Sequence, residues 1–100
     1  MPHIAYCTDR HDLGDERQTA LADHLAYIET ILDRVAVAGP VTPAPGATTE
    51  ASCFIYHTDD REEARQLLEN DPYFKAGVYG EVVISFFTPA AGSWIGGKIW

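Results

Sequence analysis

Short apolar runs bounded by turn-forming residues recur along the chain. They are rich in β-branched and aromatic side chains, which favours strands over helices. Four such runs are present, at residues 3–8, 35–39, 51–57 and 81–87. The pattern therefore predicts four short strands.

Two segments between these runs have helical character. Residues 15–34 contain no Pro or Gly, and apolar side chains recur there at steps of three or four, with Asp15 as the expected N-cap. Residues 59–70 begin with acidic side chains, which suit the positive end of a helix dipole. Residues 71–79 read as a turn with a short helical piece that has Pro72 in its first turn.

The predicted order is β-α-β-β-α-β, an α+β arrangement of ferredoxin-like type with one antiparallel sheet and both helices on a single face. A chain of 100 residues is expected to form one domain over residues 1–100. The main folded part of this domain is expected to cover about residues 3–87. Residues 40–50 are a Pro-rich loop, and the tail at 88–100 has no assigned structure.

The sheet face opposite the helices is also expected to be buried against another surface. Strands one, three and four are apolar on both sides, and a patch of that size is rarely left in water. Pairing of two sheets face to face is the simplest cover, so we expect a homodimer, alone or within a ring of dimers.

Composition and charge restrict the classes of partner that the protein is expected to bind and the compartment in which it is expected. The formal net charge of −8 is unfavourable for contact with nucleic acid or an anionic membrane. The chain has neither a signal-peptide pattern nor an apolar run near the roughly 20 residues that a bilayer span needs. Its two cysteines are expected to be free thiols in a reducing compartment, which predicts a cytoplasmic protein.

His24 is the histidine with the most chemical interest. It falls on the flank of the apolar stripe of the first helix. It either fills core space with a satisfied hydrogen bond or faces a cavity, where an imidazole would be a natural proton carrier near neutral pH.

Three further positions have both a structural and a functional interpretation. Asp71 precedes Pro72, which is typical of a turn, but a carboxylate there would also be able to orient an imidazole. Arg17 lies two turns before His24 and is either solvated or a contact for an anionic group. Tyr73 either packs in the core or lines a pocket.

The dipeptide Gly39-Pro40 is either a plain turn at the end of the second strand or a backbone wall close to a ligand. A cluster of metal-like composition lacks a recognised ligand spacing, so no metal site is predicted; its members are His3, Asp9, His11 and Asp12. We expect no cofactor.

Several short motifs occur together in an order that resembles the YCII-related (YciI-like) family. They run from about residue 3 to residue 87, and each is weak alone. They are Arg17 with the His24-Leu25 pair, the segment 37–40 (VAGP), the segment 71–73 (DPY) and the segment 76–78 (AGV).

This resemblance implies a ferredoxin-like fold that dimerises as a dimeric α+β barrel, with a His–Asp pair at His24 and Asp71. Similar dimeric α+β barrel proteins include isomerases, lyases that eliminate a halide from ring compounds, and cofactor-free oxygenases. Our hypothesis is an isomerase or lyase acting on a small cyclic or anionic metabolite, in which Arg17, Gly39, Pro40 and Tyr73 bind the substrate. The alternative is a non-catalytic dimeric module that binds a small ligand or a protein.

Overall fold

The computed structural model describes residues 2–100 and contains a four-stranded antiparallel sheet with helices on one face. The strands are β1 (His3–Asp9), β2 (Val35–Val41), β3 (Ala51–Tyr56) and β4 (Tyr79–Phe86). The helices are α1 (Glu16–Thr30), α2 (Arg61–Glu69) and α3 (Pro72–Lys75). The sheet order is β2-β3-β1-β4, so the predicted ferredoxin-like α+β fold is confirmed.

The first helix ends earlier than the periodicity predicts. A 3₁₀ turn at Leu32–Arg34 follows α1 in place of a continuous helix to residue 34. At the last residue of α1, the hydroxyl of Thr30 donates to the carbonyl oxygen of Tyr27, which competes with regular backbone bonding. At the other end, Asp15 holds the N-cap position, but the carboxylate of Glu16 accepts the Gly14 amide.

The second strand runs two residues past its predicted end at Gly39. Pro40 lacks the amide hydrogen that a central strand would need, which is why the sequence suggested a turn there. Because β2 lies at the edge of the sheet, Pro40 can pair with Ser52 of β3 without leaving a ladder bond unmade. The remaining helix and strand boundaries differ from the predicted ones by at most two residues, and β1 and β3 begin at the predicted residues.

The core lies between the sheet and the helices. Alternate strand residues form it together with Ala64 and Leu68 of α2, and the buried strand members include Ala5, Cys7, Phe54, Tyr56 and Ile84. The hydroxyl of Tyr27 in α1 donates to the carbonyl oxygen of Leu67 in α2 at 2.6 Å, which ties the two helices together.

The segment after β4 forms a small hairpin. Strands β5 (Ala91–Gly92) and β6 (Gly97–Lys98) pair antiparallel, with a 3₁₀ turn at Ser93–Ile95 between them. Gly96 closes the turn with φ of 79°, a left-handed conformation that strongly favours glycine. No helix within residues 2–100 is long and apolar enough to cross a membrane.

Candidate active site

His24 and Asp71 are 47 residues apart in the chain and meet between α1 and α3. His24 Nδ1 lies 2.7 Å from Asp71 Oδ1, and the geometry fits an imidazole N–H that donates to the carboxylate. Asp71 is fully buried and the His24 side chain nearly so. The structure therefore brings together the two residues that the resemblance paired.

Asp71 also has the structural role that its place before Pro72 suggested. It is the N-cap of α3, and the same Oδ1 atom accepts the Tyr73 amide at 2.9 Å. Oδ2 is equally buried and receives no hydrogen bond from the part of the chain that the structure describes. One carboxylate thus caps α3 and lies within hydrogen-bond distance of the His24 imidazole.

Tyr73 stacks on the imidazole. The two rings have centroids 3.8 Å apart and planes 9° apart, while Phe54 meets His24 edge-on at 6.3 Å. Burial raises the pKa of the Tyr73 phenol, partly offset by the nearby charge of Arg17. Tyr73 is consequently a neutral, rigid wall beside His24.

Arg17 is neither free nor solvated. Its Nε and Nη2 atoms each donate to Asp9 at 2.8 Å, and Nη2 also donates to the hydroxyl of Ser52 at 2.9 Å. Its guanidinium carbon lies 5.0 Å from the ring centroid of Tyr73. Burial disfavours the charge, but the bonds to Asp9 raise the pKa of Arg17, so the guanidinium remains charged at every working pH.

A cavity of about 290 Å³ opens between α1 and the edge strand β2. Five of the six predicted site residues line it, and the sixth, Asp71, lies behind His24. The lining members of that set are Arg17, His24, Gly39, Pro40 and Tyr73. Gly39 has open space around its Cβ position, so its backbone is a bare part of the wall.

The rest of this cavity is mostly apolar. Leu21 and Leu25 of α1 line it and are 44% and 52% exposed, whereas Ile28 of the same apolar stripe packs against the core. A second cavity of about 880 Å³, under residues 48–50, shares Arg17, Leu21, Pro40 and Tyr73 with the first. The two cavities therefore adjoin along the Arg17–Tyr73 contact.

Three site residues escaped the sequence analysis. Asp9 and Ser52 hold Arg17, and Phe54 borders His24. Strand alternation was the available signal for Ser52 and Phe54, because both share the helix-facing side of β3 with Tyr56. Asp9 had been grouped with metal-like residues; within residues 2–100, no three His, Cys, Asp or Glu side chains are placed to hold a metal ion.

Comparison with known proteins gives related sequences and a related fold. Protein YciI of Escherichia coli O6:H1 and that of Shigella flexneri are each 31% identical to the chain over 94 residues, covering 87% of it and 96% of the relative. A solved structure of 5-chloro-2-hydroxyhydroquinone dehydrochlorinase from Burkholderia phenoliruptrix AC1100, in complex with 2,5-dihydroxybenzoquinone, matches with a TM-score of 0.79 and 28% identity. The match covers 93% of this chain and 97% of the dehydrochlorinase chain.

The chain also matches the YCII-related domain over residues 1–88, which includes every residue of the site described above. With most of its length matched and relatives at this level of identity, the chain belongs to the YCII-related family.

Proposed function

We propose that this protein is a cofactor-independent lyase or isomerase that moves a proton on a small oxygenated ring, with His24 as the proton carrier. The observation that carries the proposal is the partly buried His24–Asp71 hydrogen bond at the wall of a cavity. A similar protein of the same fold is a dehydrochlorinase, which supports small-molecule chemistry of the lyase type.

The hydrogen bond to Asp71 assigns different roles to the two imidazole nitrogens. When Nδ1–H donates to the carboxylate, Nε2 has a free lone pair and can accept a proton from a substrate. The buried carboxylate then stabilises the imidazolium that forms. Asp71 therefore acts through His24 and orients it, while His24 exchanges the proton.

The cavity walls support a flat, partly oxygenated substrate. The aliphatic side chains on one side suit a ring, and those polar groups that line the cavity gather around Arg17, Ser52 and Tyr73. Arg17 keeps its charge but already binds Asp9 through two nitrogens, so we assign it the positioning of a ring oxygen rather than the capture of a fully charged group. Gly39 and Pro40 form the opposite backbone wall.

A halide elimination illustrates the chemistry. A chlorinated hydroxyhydroquinone that loses HCl becomes a hydroxybenzoquinone, and neither an oxidant nor a reductant is needed. In the first step a hydroxyl proton of the ring moves, through His24, to the carbon that bears chlorine, which becomes an sp³ carbon next to a new carbonyl group. His24 then accepts the proton of the second hydroxyl group of the hydroquinone. The O–H electron pair forms the second carbonyl bond, the adjacent ring double bond shifts to the carbon that bears chlorine, and chloride leaves with the electron pair of its bond to carbon. The imidazolium then releases its proton to solvent, which restores the starting state.

Chloride release from 5-chloro-2-hydroxyhydroquinone tests this proposal. We expect turnover by the wild type and a loss of at least about 100-fold in His24→Ala. The control is His3→Ala, because His3 is also buried and bonds the Thr58 carbonyl oxygen away from the cavity. Equal rates for wild type and His24→Ala would rule out His24 as the proton carrier.

A non-catalytic binding module is the second candidate, favoured by the capping bond that the Tyr73 amide donates to Asp71. In that case the His24–Asp71 pair contributes to the stability of the fold and has no catalytic role. His24→Ala would then lower stability as much as His3→Ala does, and the affinity for 2,5-dihydroxybenzoquinone would be the same in wild type and His24→Ala.

We also propose that two copies pair through the sheet face opposite the helices, in the cytoplasm. Exposed apolar side chains on that face support the pairing, and the free thiols Cys7 and Cys53 support a reducing compartment. A light-scattering mass of one chain at micromolar concentration would contradict the dimer. Recovery of the native protein from a membrane or extracellular fraction would contradict the location.

A further inference from the structure

The sheet face opposite the helices is almost uncharged. The strand register places three rows of four residues on it: Val37, Ile55, Ile4 and Ser85; Gly39, Cys53, Tyr6 and Val83; Val41, Ala51, Thr8 and Glu81. Glu81 is the single charged member of these twelve described positions, although the whole chain has a net charge of −8. Two acidic chains can therefore approach through this face with little repulsion.

The C-terminal hairpin (residues 91–98) lies beside one end of this face and leaves a gap. A cavity of about 750 Å³ separates the hairpin from the sheet. Its walls are mostly apolar and include Val37 and Ile55 from the sheet, Phe87 after β4, and Trp94 and Ile95 from the hairpin, with His57 and Ser93 as polar members. A space of this size is large enough to accept aromatic side chains.

The same hairpin presents large apolar side chains to solvent. Trp94 is 87% exposed and Trp100 is 73% exposed, and Ile99 between them in sequence is also exposed. Trp94 forms part of the cavity wall, whereas Ile99 and Trp100 lie outside the lining. An apolar cavity and exposed aromatic side chains thus occur on one side of one chain.

We propose that two copies pair across their sheet faces and exchange their Trp100 side chains, so that Trp100 of each copy enters the cavity of the other. Each hairpin stays against its own sheet, where its Trp94 forms the wall that the entering ring meets. This inference rests on the proposed dimer. A two-fold interface uses the same patch on both copies. A surface that carries both the inserted side chain and the receiving cavity therefore makes the same contact twice in one dimer. No unrelated partner needs to be invoked.

Charge also favours a second copy as the occupant. The segment 88–100 has one charged residue, Lys98, and the strand rows have one, Glu81, of opposite sign. A C-terminal segment that reaches the partner with Trp100 brings the ammonium group of Lys98 toward a face that carries one side-chain carboxylate, that of Glu81. The pairing thereby orients the two copies as well as burying apolar surface.

Tryptophan fluorescence tests the exchange directly, because both tryptophans of the chain, Trp94 and Trp100, lie in this segment. In a dimer we expect blue-shifted emission that is protected from iodide. Dilution to the monomer should shift it to the red in step with the light-scattering mass. Single variants Trp94→Phe and Trp100→Phe separate the two signals, and the Trp100 signal should show the greater protection.

Substitutions give the energetic test. Trp100→Ala should raise the dissociation constant of the dimer by at least about tenfold, as expected for a central aromatic anchor. Val37→Glu, in the receiving cavity, should do the same. The control Leu32→Ala removes an equally exposed apolar side chain on the helix side and should leave the constant within about twofold.

The remaining outcomes separate this inference from the dimer itself. A stable dimer with fully quenchable tryptophans would overturn the exchange and leave the dimer standing. Blue-shifted emission that does not change on dilution to monomer would mean that Trp100 fills the cavity of its own copy, which also overturns the exchange. A monomer at every concentration would overturn both.

Discussion

The imidazole of His24 lies parallel to the phenol ring of Tyr73, with centroids 3.8 Å apart. Asp71 binds both residues through one oxygen, since Oδ1 accepts from His24 Nδ1 and from the backbone amide of Tyr73. The start of α3 therefore sets both the in-plane orientation of the imidazole and the wall against which it rests. Tyr73 is a positioning residue in this arrangement.

Replacing Tyr73 by Leu should lower kcat by about tenfold with little change in the fold, because the imidazole loses the surface that restricts its rotation. Phe at the same position keeps the stack and should retain most of the activity. Steady-state kinetics on the two variants measure the difference. The matched control is Phe74→Leu, one residue along α3; an equal loss of kcat there would contradict a specific role for Tyr73.

Asp71→Asn separates the capping role of this residue from its role toward His24. The amide oxygen still accepts the Tyr73 amide, so the free energy of unfolding should fall by no more than about 1 kcal/mol, while turnover falls by at least about 100-fold without the carboxylate charge. Denaturant unfolding and kinetics on one preparation check both values.

Asp60→Asn is the matched control for that change, because Asp60 caps α2 by accepting the Glu62 amide at 2.9 Å. It should show a similar small effect on stability and full activity. Full activity in Asp71→Asn would contradict the proposal that Asp71 orients His24 for catalysis.

Arg17→Lys tests the geometry of the Asp9 contact. A lysine keeps the positive charge but cannot make two parallel bonds to the carboxylate as well as a bond to Ser52. We expect the free energy of unfolding to fall by about 1–3 kcal/mol and KM to rise more than kcat falls. Arg65→Lys, on the exposed side of α2, is the control. An unchanged KM would remove Arg17 from substrate positioning.

Stability should decline in alkaline solution because of Cys7. Burial, with the nearby Asp71 charge as a smaller contribution, raises the pKa of this thiol from its ordinary 9.0 to about 12. Between those values the folded chain keeps a proton that the unfolded chain loses. The stabilising effect is complete below pH 9 and disappears as the pH rises toward 12.

For one such thiol the slope in this window is about −1.4 kcal/mol per pH unit at most. Cys7→Ala should make the curve shallower in urea unfolding measured from pH 8.5 to 10.5. The slope that remains belongs partly to Tyr56 and Tyr79, whose pKa values burial also raises. Identical slopes for the wild type and Cys7→Ala would contradict the assignment of part of the alkaline loss of stability to Cys7.

The element order could be predicted from the chain because strand and helix periodicities are local properties. The His24–Asp71 pair could not, since 47 residues separate its members and the pairing came from the family resemblance. Strand β2 passes through Pro40 because it lies at a sheet edge, a fact that only the tertiary order provides. Asp9 and Ser52 became site residues through their contacts with Arg17, and no spacing in the sequence indicates that contact.

The ¹⁵N resonances of the His24 ring, recorded in wild type and Asp71→Asn with and without 2,5-dihydroxybenzoquinone, test the dyad most directly. We predict that the proton of the neutral ring resides on Nδ1 in the wild type, that the ligand shifts the Nε2 resonance, and that Asp71→Asn mixes the two tautomers. A proton on Nε2 in the wild type, or ring resonances that neither the ligand nor the Asp71 substitution moves, would contradict the proposed acid–base function.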